Sequence, residues 1–139
     1  MTLPDRVVFD AEPLVAHADD EPGSDVVEKY LDAVAVDDTA GSVSYVTLAE
    51  VRYILARKYD RETADEYIDW LIDLGIEPVG VDDLWKGTAD HVLSSNPALG
   101  DAFALATAAQ LDATLLVGAD ADYDHVGDVS VTRFRTESA

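Results

Sequence analysis

The stretch Arg6-Val-Val-Phe-Asp10 is a short apolar run closed by an acid. Such a run reads as a buried β-strand. The acid that closes it then lies at the carboxyl end of that strand, the position where open α/β sheets bind ligands. Whether this reading holds depends on what surrounds it.

Outward from this strand, helices and strands alternate. Glu12 to Ala18 forms a short helix, with Pro13 acceptable in its first turn. Pro22-Gly-Ser-Asp25 turns the chain into a helix that buries Val26, Val27, Tyr30, Leu31 and Val34 at helical spacing. Gly41 breaks the chain before a second strand, Ser42-Val-Ser-Tyr-Val46. Thr47 to Tyr59 and Arg61 to Leu74 are helical, and Gly75 closes the latter. A third strand spans Ile76 to Val81, and a helix follows over Asp82 to Leu93. Asn96 as cap and Pro97 at the first position open an Ala-rich helix that ends at Leu111. Thr114 to Val117 and Val129 to Val131 make the fourth and fifth strands. The alternation predicts an α/β domain of three layers, a mainly parallel sheet of about five strands flanked by helices. One domain is expected over residues 1–135, with 136–139 as a frayed tail.

Composition narrows the setting. A chain of 139 residues with 48% hydrophobic content fits one domain with its own core. No apolar run approaches the ~20 residues that cross a bilayer, and the first residues lack a signal-peptide pattern. There is no cysteine, which excludes disulfides and thiolate zinc sites. The expected location is the cytoplasm, with no membrane partner. Twenty-nine acids against nine basic residues give a net charge of −20. The acids are spread over the whole length and the apolar pattern is intact, which excludes a disordered acidic tail. The economical reading is an intracellular protein of a salt-accumulating halophile, where the Debye length is ~3 Å at molar salt and self-repulsion is screened. In that solvent the acidity does not exclude a nucleic-acid partner.

Several acids recur at the expected strand ends and helix starts. Asp10 follows strand one and Asp120 follows strand four. Glu50 lies in the first turn of the helix after strand two, and Asp101 near the start of the Ala-rich helix. Each has a local explanation. Thr47-Leu-Ala-Glu50 matches a capping box, Asp101 complements a helix N-terminus, and Asp120 suits a turn. The alternating Asp120, Asp122 and Asp124 are not a calcium loop, because the glycine and glutamate such a loop needs are replaced by His125 and Val131.

In order, these segments resemble the PIN-domain family, in particular the VapC-type toxin ribonucleases. The resemblance rests on Val7-Val-Phe-Asp10, Thr47-Leu-Ala-Glu50, Gly100-Asp-Ala-Phe-Ala-Leu-Ala-Thr107 and Gly118-Ala-Asp-Ala-Asp-Tyr123, and runs from about residue 6 to residue 134. It implies a metal-dependent endoribonuclease, the toxin of a VapBC-type pair, that forms a homodimer and is held inactive by a small antitoxin protein. Asp10, Glu50, Asp101 and Asp120 carry over as catalytic carboxylates, with Asp122 as an auxiliary metal ligand. The cofactor implied is Mg²⁺ or Mn²⁺, since hard cations prefer carboxylate oxygens and remove the repulsion among gathered acids. Two positions depart from the family pattern. Glu12 stands where the family has Ser, Thr or Asn, and is expected to join the metal shell. Gly118 stands where it has Thr or Ser. An alternative is a catalytically weak PIN scaffold that binds RNA or protein. A phospho-accepting receiver domain also places acids at strand ends, but it wants a Lys after strand five; here strand three ends in Pro78-Val-Gly-Val81 and the fifth strand is followed by Arg residues only.

Arg52, Arg57, Lys58 and Arg61 place four of the nine basic residues within ten positions, either as a phosphate-contacting edge or as cations complementing a helix C-terminus. His17, His91 and His125 lack zinc-ligand spacing. Tyr123 is expected to pack beneath the acidic corner. The charge balance itself yields a first prediction: melting followed by circular dichroism is expected to show markedly higher stability in about 2 M than in about 0.1 M KCl.

Overall fold

The computed structural model describes residues 2–137. Ser138 and Ala139, the end of the expected frayed tail, lie outside the described residues. Strand β1 (Arg6–Phe9) runs through the middle of a five-stranded sheet, between β2 (Ala40–Ser44) and β4 (Thr114–Val117). The edges are β3 (Glu77–Val79) and β5 (Val131–Arg133), giving the order β3-β2-β1-β4-β5 with every neighbouring pair parallel. Parallel neighbours need crossover connections. The helices α1 (Ala11–Ala18), α2 (Ser24–Ala35), α3 (Tyr45–Lys58), α4 (Arg61–Leu74), α5 (Trp85–Ser95) and α6 (Leu99–Leu111) flank the sheet.

Successive side chains of a strand point to opposite faces, and β1 serves two cores in this way. Val7 and Phe9 pack with Leu14, Leu31, Leu55 and Leu71 of α1 to α4. Val8 packs on the other side with Leu105 and Ala108 of α6. Burial on both faces is why residues 7–9 of β1 and 115–117 of β4 are apolar in succession rather than alternating. Helix α6 is buried along Asp101 to Ala108. Its four alanines there leave room for a close approach to its neighbours, and Thr107 satisfies its hydroxyl on the Phe103 carbonyl at 2.7 Å. Pro78 sits in β3, an edge strand, where a missing N–H is tolerated.

Several boundaries differ from the sequence reading: β3 spans only Glu77–Val79, and a 3₁₀ turn over Val81–Asp83 precedes α5, which starts at Trp85 rather than Asp82. Strand β2 stops at Ser44, not Val46, because the Ser44 hydroxyl accepts the Val46 N–H at 3.0 Å and caps α3 there. Thr47 is therefore inside the helix and buried, Glu50 falls in the second turn rather than the first, and no capping box joins them. Asn96 ends α5 rather than starting α6. It adopts a left-handed conformation at φ 51° and its N–H reaches the Val92 carbonyl at 2.9 Å. Asparagine serves both as an N-cap and as a left-handed helix stop, so its identity does not choose between them. Strand β5 lies two residues further on than expected. By contrast, α4, β4 and the C-terminal end of α6 lie where the sequence places them.

The strand order reverses direction between β1 and β4. This is a topological switch point, and the crevice beyond the carboxyl ends of these two strands is where such sheets bind ligands. The Asp10 N–H still donates to the Leu116 carbonyl at 3.0 Å, so pairing continues one residue past β1 and holds Asp10 at the rim. Among the described residues no helix is long and apolar enough to cross a membrane. The layered core predicts that Leu71→Ala, at a fully buried position, lowers stability by about 2–5 kcal/mol. Leu93→Ala, at an exposed position, is expected to change it by no more than about 0.5 kcal/mol. Denaturant titration in concentrated KCl measures both.

Candidate metal centre

Asp10, Glu12, Glu50, Asp101 and Asp120 line one cleft of about 350 Å³ at this switch point. Asp10 is 5% exposed, and its Oδ2 accepts the Tyr123 hydroxyl at 2.9 Å. Burial pushes its carboxyl up to about 7, and the charges of Glu50 and Asp120 act in the same direction. The Ala11 N–H and the Tyr123 hydroxyl pull it back only in part. Tyr123 thus does more than pack beneath the corner; it fixes the orientation of the Asp10 carboxylate.

Glu50 reaches the cleft from α3. Its Oε1 is buried without a hydrogen-bond partner, as is the Thr47 hydroxyl, and burial raises the Glu50 pKa. Gly100, at the start of α6, comes so near that a Cβ there would overlap the Glu50 carboxylate. The missing side chain at residue 100 is the cradle in which Glu50 lies. One residue on, Asp101 is buried, and desolvation first, then Asp10, drives its carboxyl far above the usual range. Asp120 caps the short 3₁₀ turn Ala121–Tyr123 by accepting the Asp122 N–H at 2.9 Å. Asp122 accepts the Ala98 N–H at 2.8 Å, a bond that holds its carboxyl below the ordinary value and ties the turn to the start of α6. One oxygen each from Asp101, Asp120 and Asp122 lie within 4.8 Å of one another.

The structure thus brings together residues from four separate parts of the sequence. Glu12 joins them at the cleft wall, but its carboxylate is already engaged. It accepts the Ala119 N–H at 3.2 and 3.3 Å and the Arg135 Nε–H at 2.9 Å. A Cβ at residue 118 would overlap that same carboxylate. The two departures from the family pattern are therefore one steric arrangement: Glu12 fills the space that a residue-118 side chain would take. Arg133 and Arg135, which hold this corner, were not singled out from the sequence. The available signal was two of only six arginines standing two apart in a very acidic chain. In the other basic cluster, Arg52 pairs with Asp65 at 2.7 Å, Lys58 pairs with Asp19, and Arg57 lies 4.9 Å from the centre of the Tyr53 ring.

The donor set fits a hard divalent cation. It consists of oxygens only, one of them buried and unpartnered, and among the described residues no Lys or Arg forms an ion pair with Asp10, Glu50, Asp101 or Asp120. Without a cation the buried carboxyls make folding pH-dependent. Asp10 is neutral in both states below its unfolded pKa of 3.8; between there and about 7 the unfolded state ionises first and stability is lost. Metal-free protein is therefore expected to lose stability as pH rises from about 4 to about 7, by up to about 4 kcal/mol from this group. Asp10→Asn is expected to flatten that slope, as thermal melts across the same pH range would show.

Comparison with known proteins agrees with this fold. The PIN domain profile matches residues 7–129. Among solved structures, VapBC2 from Rickettsia felis, bound to a promoter DNA fragment, aligns with a TM-score of 0.75 at 13% identity, over 92% of this chain and 98% of that one. DNA-bound VapBC from Salmonella typhimurium aligns with a TM-score of 0.71 at 11% identity, over 93% and 98%. A toxin–antitoxin complex from Klebsiella pneumoniae gives 0.67 at 19% identity, over 88% and 94%. No curated protein matches the sequence significantly. These structural likenesses carry the fold, and the profile match over most of the length carries the kinship: the chain belongs to the PIN domain family.

Proposed function

We propose that this protein is a metal-dependent endoribonuclease that hydrolyses RNA phosphodiester bonds and acts as the toxin of a VapBC-type pair. The observation that carries the reading is the buried, unpartnered Glu50 Oε1 in a cleft shared with the buried carboxyls of Asp10 and Asp101. Such a cluster is unfavourable by itself and becomes favourable around a cation. Asp10, Glu50, Asp101 and Asp120 are the residues proposed to hold Mg²⁺ or Mn²⁺, with Asp122 assisting. A divalent cation there supplies charge stabilisation to a reacting phosphodiester and makes water a better nucleophile at neutral pH.

The chain's own groups set the geometry. The Tyr123 hydroxyl holds Asp10, the Gly100 cradle admits Glu50, and the Ala98 N–H anchors Asp122 beside Asp101 and Asp120. The mutual fit of Glu12 and Gly118 favours an intact site over a degenerate binding scaffold. That the structural neighbours include toxin–antitoxin complexes supports a small antitoxin as partner. The same kinship is the ground for proposing a homodimer and a cytoplasmic location, with the nuclease domain spanning residues 1–135.

In concentrated KCl with Mn²⁺, wild-type protein is expected to cleave RNA, and chelation to abolish cleavage. Asp10→Asn and Asp101→Asn are each expected to reduce the rate by more than about 100-fold, beyond the loss typical of a residue that merely supports a metal ligand. Equal cleavage by all three proteins would overturn the assignment.

A further inference from the structure

The loop that carries Asp120 is gripped from outside by side chains remote in sequence. Arg133 Nη1 donates to the carbonyls of Gly118 and Asp120, the latter at 3.1 Å, and its Nη2 donates to Asp124 at 2.6 Å. Between those carbonyls, the Ala119 N–H is taken by Glu12. Glu12 is in turn held by Arg135, whose Nε donates to Glu12 at 2.9 Å while its Nη2 reaches Glu21 at 3.0 Å and its Nη1 the Pro22 carbonyl at 3.0 Å. The Arg135 side chain is only 10% exposed and lines the acidic cleft, yet among the described residues it pairs with none of Asp10, Glu50, Asp101 or Asp120.

Two of the nine cations of this acidic chain are therefore spent on one corner, and both lie beyond the span of the family match. An exposed ion pair would add little. A guanidinium mostly withdrawn from solvent, bridging two carboxylates and a carbonyl, is a geometric device: its planar fork fixes the direction of each bond.

We propose that Glu12 and Arg135, together with Arg133, are positioning residues that set the place of Asp120, and that Glu12 acts through the Ala119 N–H rather than as a metal ligand. This rests on reading the cleft as a metal site. The Glu12 carboxylate both caps the loop and occupies the volume that a side chain at residue 118 would need. Glycine at 118 is thus a condition of the clamp.

The test uses the full chain in concentrated KCl. Mn²⁺ affinity is measured by calorimetry for wild type, Arg135→Gln, Arg135→Lys, Glu12→Ala and the Arg135→Gln/Glu12→Ala pair, with Asp101→Asn as the ligand-loss control. Exchange of the Ala119 amide is measured by NMR in the metal-free proteins. Arg135→Gln and Glu12→Ala are each expected to weaken Mn²⁺ binding by about 10- to 100-fold and to speed Ala119 exchange. Arg135→Lys keeps the charge without the fork and is expected to fall between; it stands in should the glutamine variant not fold. The double variant is expected to bind no worse than Glu12→Ala alone, because both act through one contact. If Glu12→Ala weakens binding while Arg135→Gln does not, Glu12 is a ligand and the proposal fails. Wild-type Mn²⁺ affinity in both, with Asp101→Asn defective, would also overturn it while leaving the metal reading intact. If the wild type binds no Mn²⁺, the metal reading fails, and unchanged Ala119 exchange in Arg135→Gln would then reject the clamp on its own.

Discussion

Carboxylates crowded beyond the ends of β1 and β4 repel one another, and two of them, Asp10 and Asp101, are also withdrawn from water. Both effects oppose ionisation, which is why these two carboxyls rise while the hydrogen-bonded Asp122 falls. A fold can hold such a cluster only if its scaffold is stable elsewhere. Here a parallel sheet buried on both faces carries Asp10 at the end of its central strand. Gly100 lets α6 approach Glu50, and the alanines of α6 bring Asp101 to the same crevice.

The chain uses acids in two ways that burial and bonding separate. Those on the surface are turned outward, cap helices or meet the few cations available. Asp60 caps α4 by accepting the Thr63 N–H at 2.7 Å, and Asp65 pairs with Arg52. Among the described residues Asp10, Glu50, Asp101 and Asp120 have no such cationic partner, and Glu50 retains an oxygen with no partner at all. The same residue type therefore serves solvation in one place and, on the reading favoured above, cation binding in another. Asp124, third of the alternating aspartates, belongs to the first class, since it is exposed and pairs with Arg133.

Legibility in the sequence tracked the range of the interactions involved. Helix α4 and strand β4 are encoded locally, by apolar periodicity, an Asp cap and a following glycine, and an unbroken apolar run. Local signals failed where two local options competed. Ser44 and Thr47 are both competent N-caps, and Asn96 suits both a helix start and a left-handed stop. In each case packing chose, placing Thr47 inside α3 and leaving the start of α6 to Asp122, 24 residues away in sequence.

The sequence by itself determined the α/β class, the order of the strands along the chain and the acids that stand at strand ends, because periodicity and strand-end chemistry are local properties. Only the tertiary structure decided what those acids do. It gathered Asp10, Glu50, Asp101 and Asp120 in one cleft, left Glu50 Oε1 unpartnered, and turned Glu12 toward Ala119 and Arg135. The contact between Glu12 and Arg135 spans 123 residues, and the space it occupies is set by Gly118 in a third segment. No local pattern encodes such an arrangement, because its geometry exists only once the sheet has brought three distant segments to one edge.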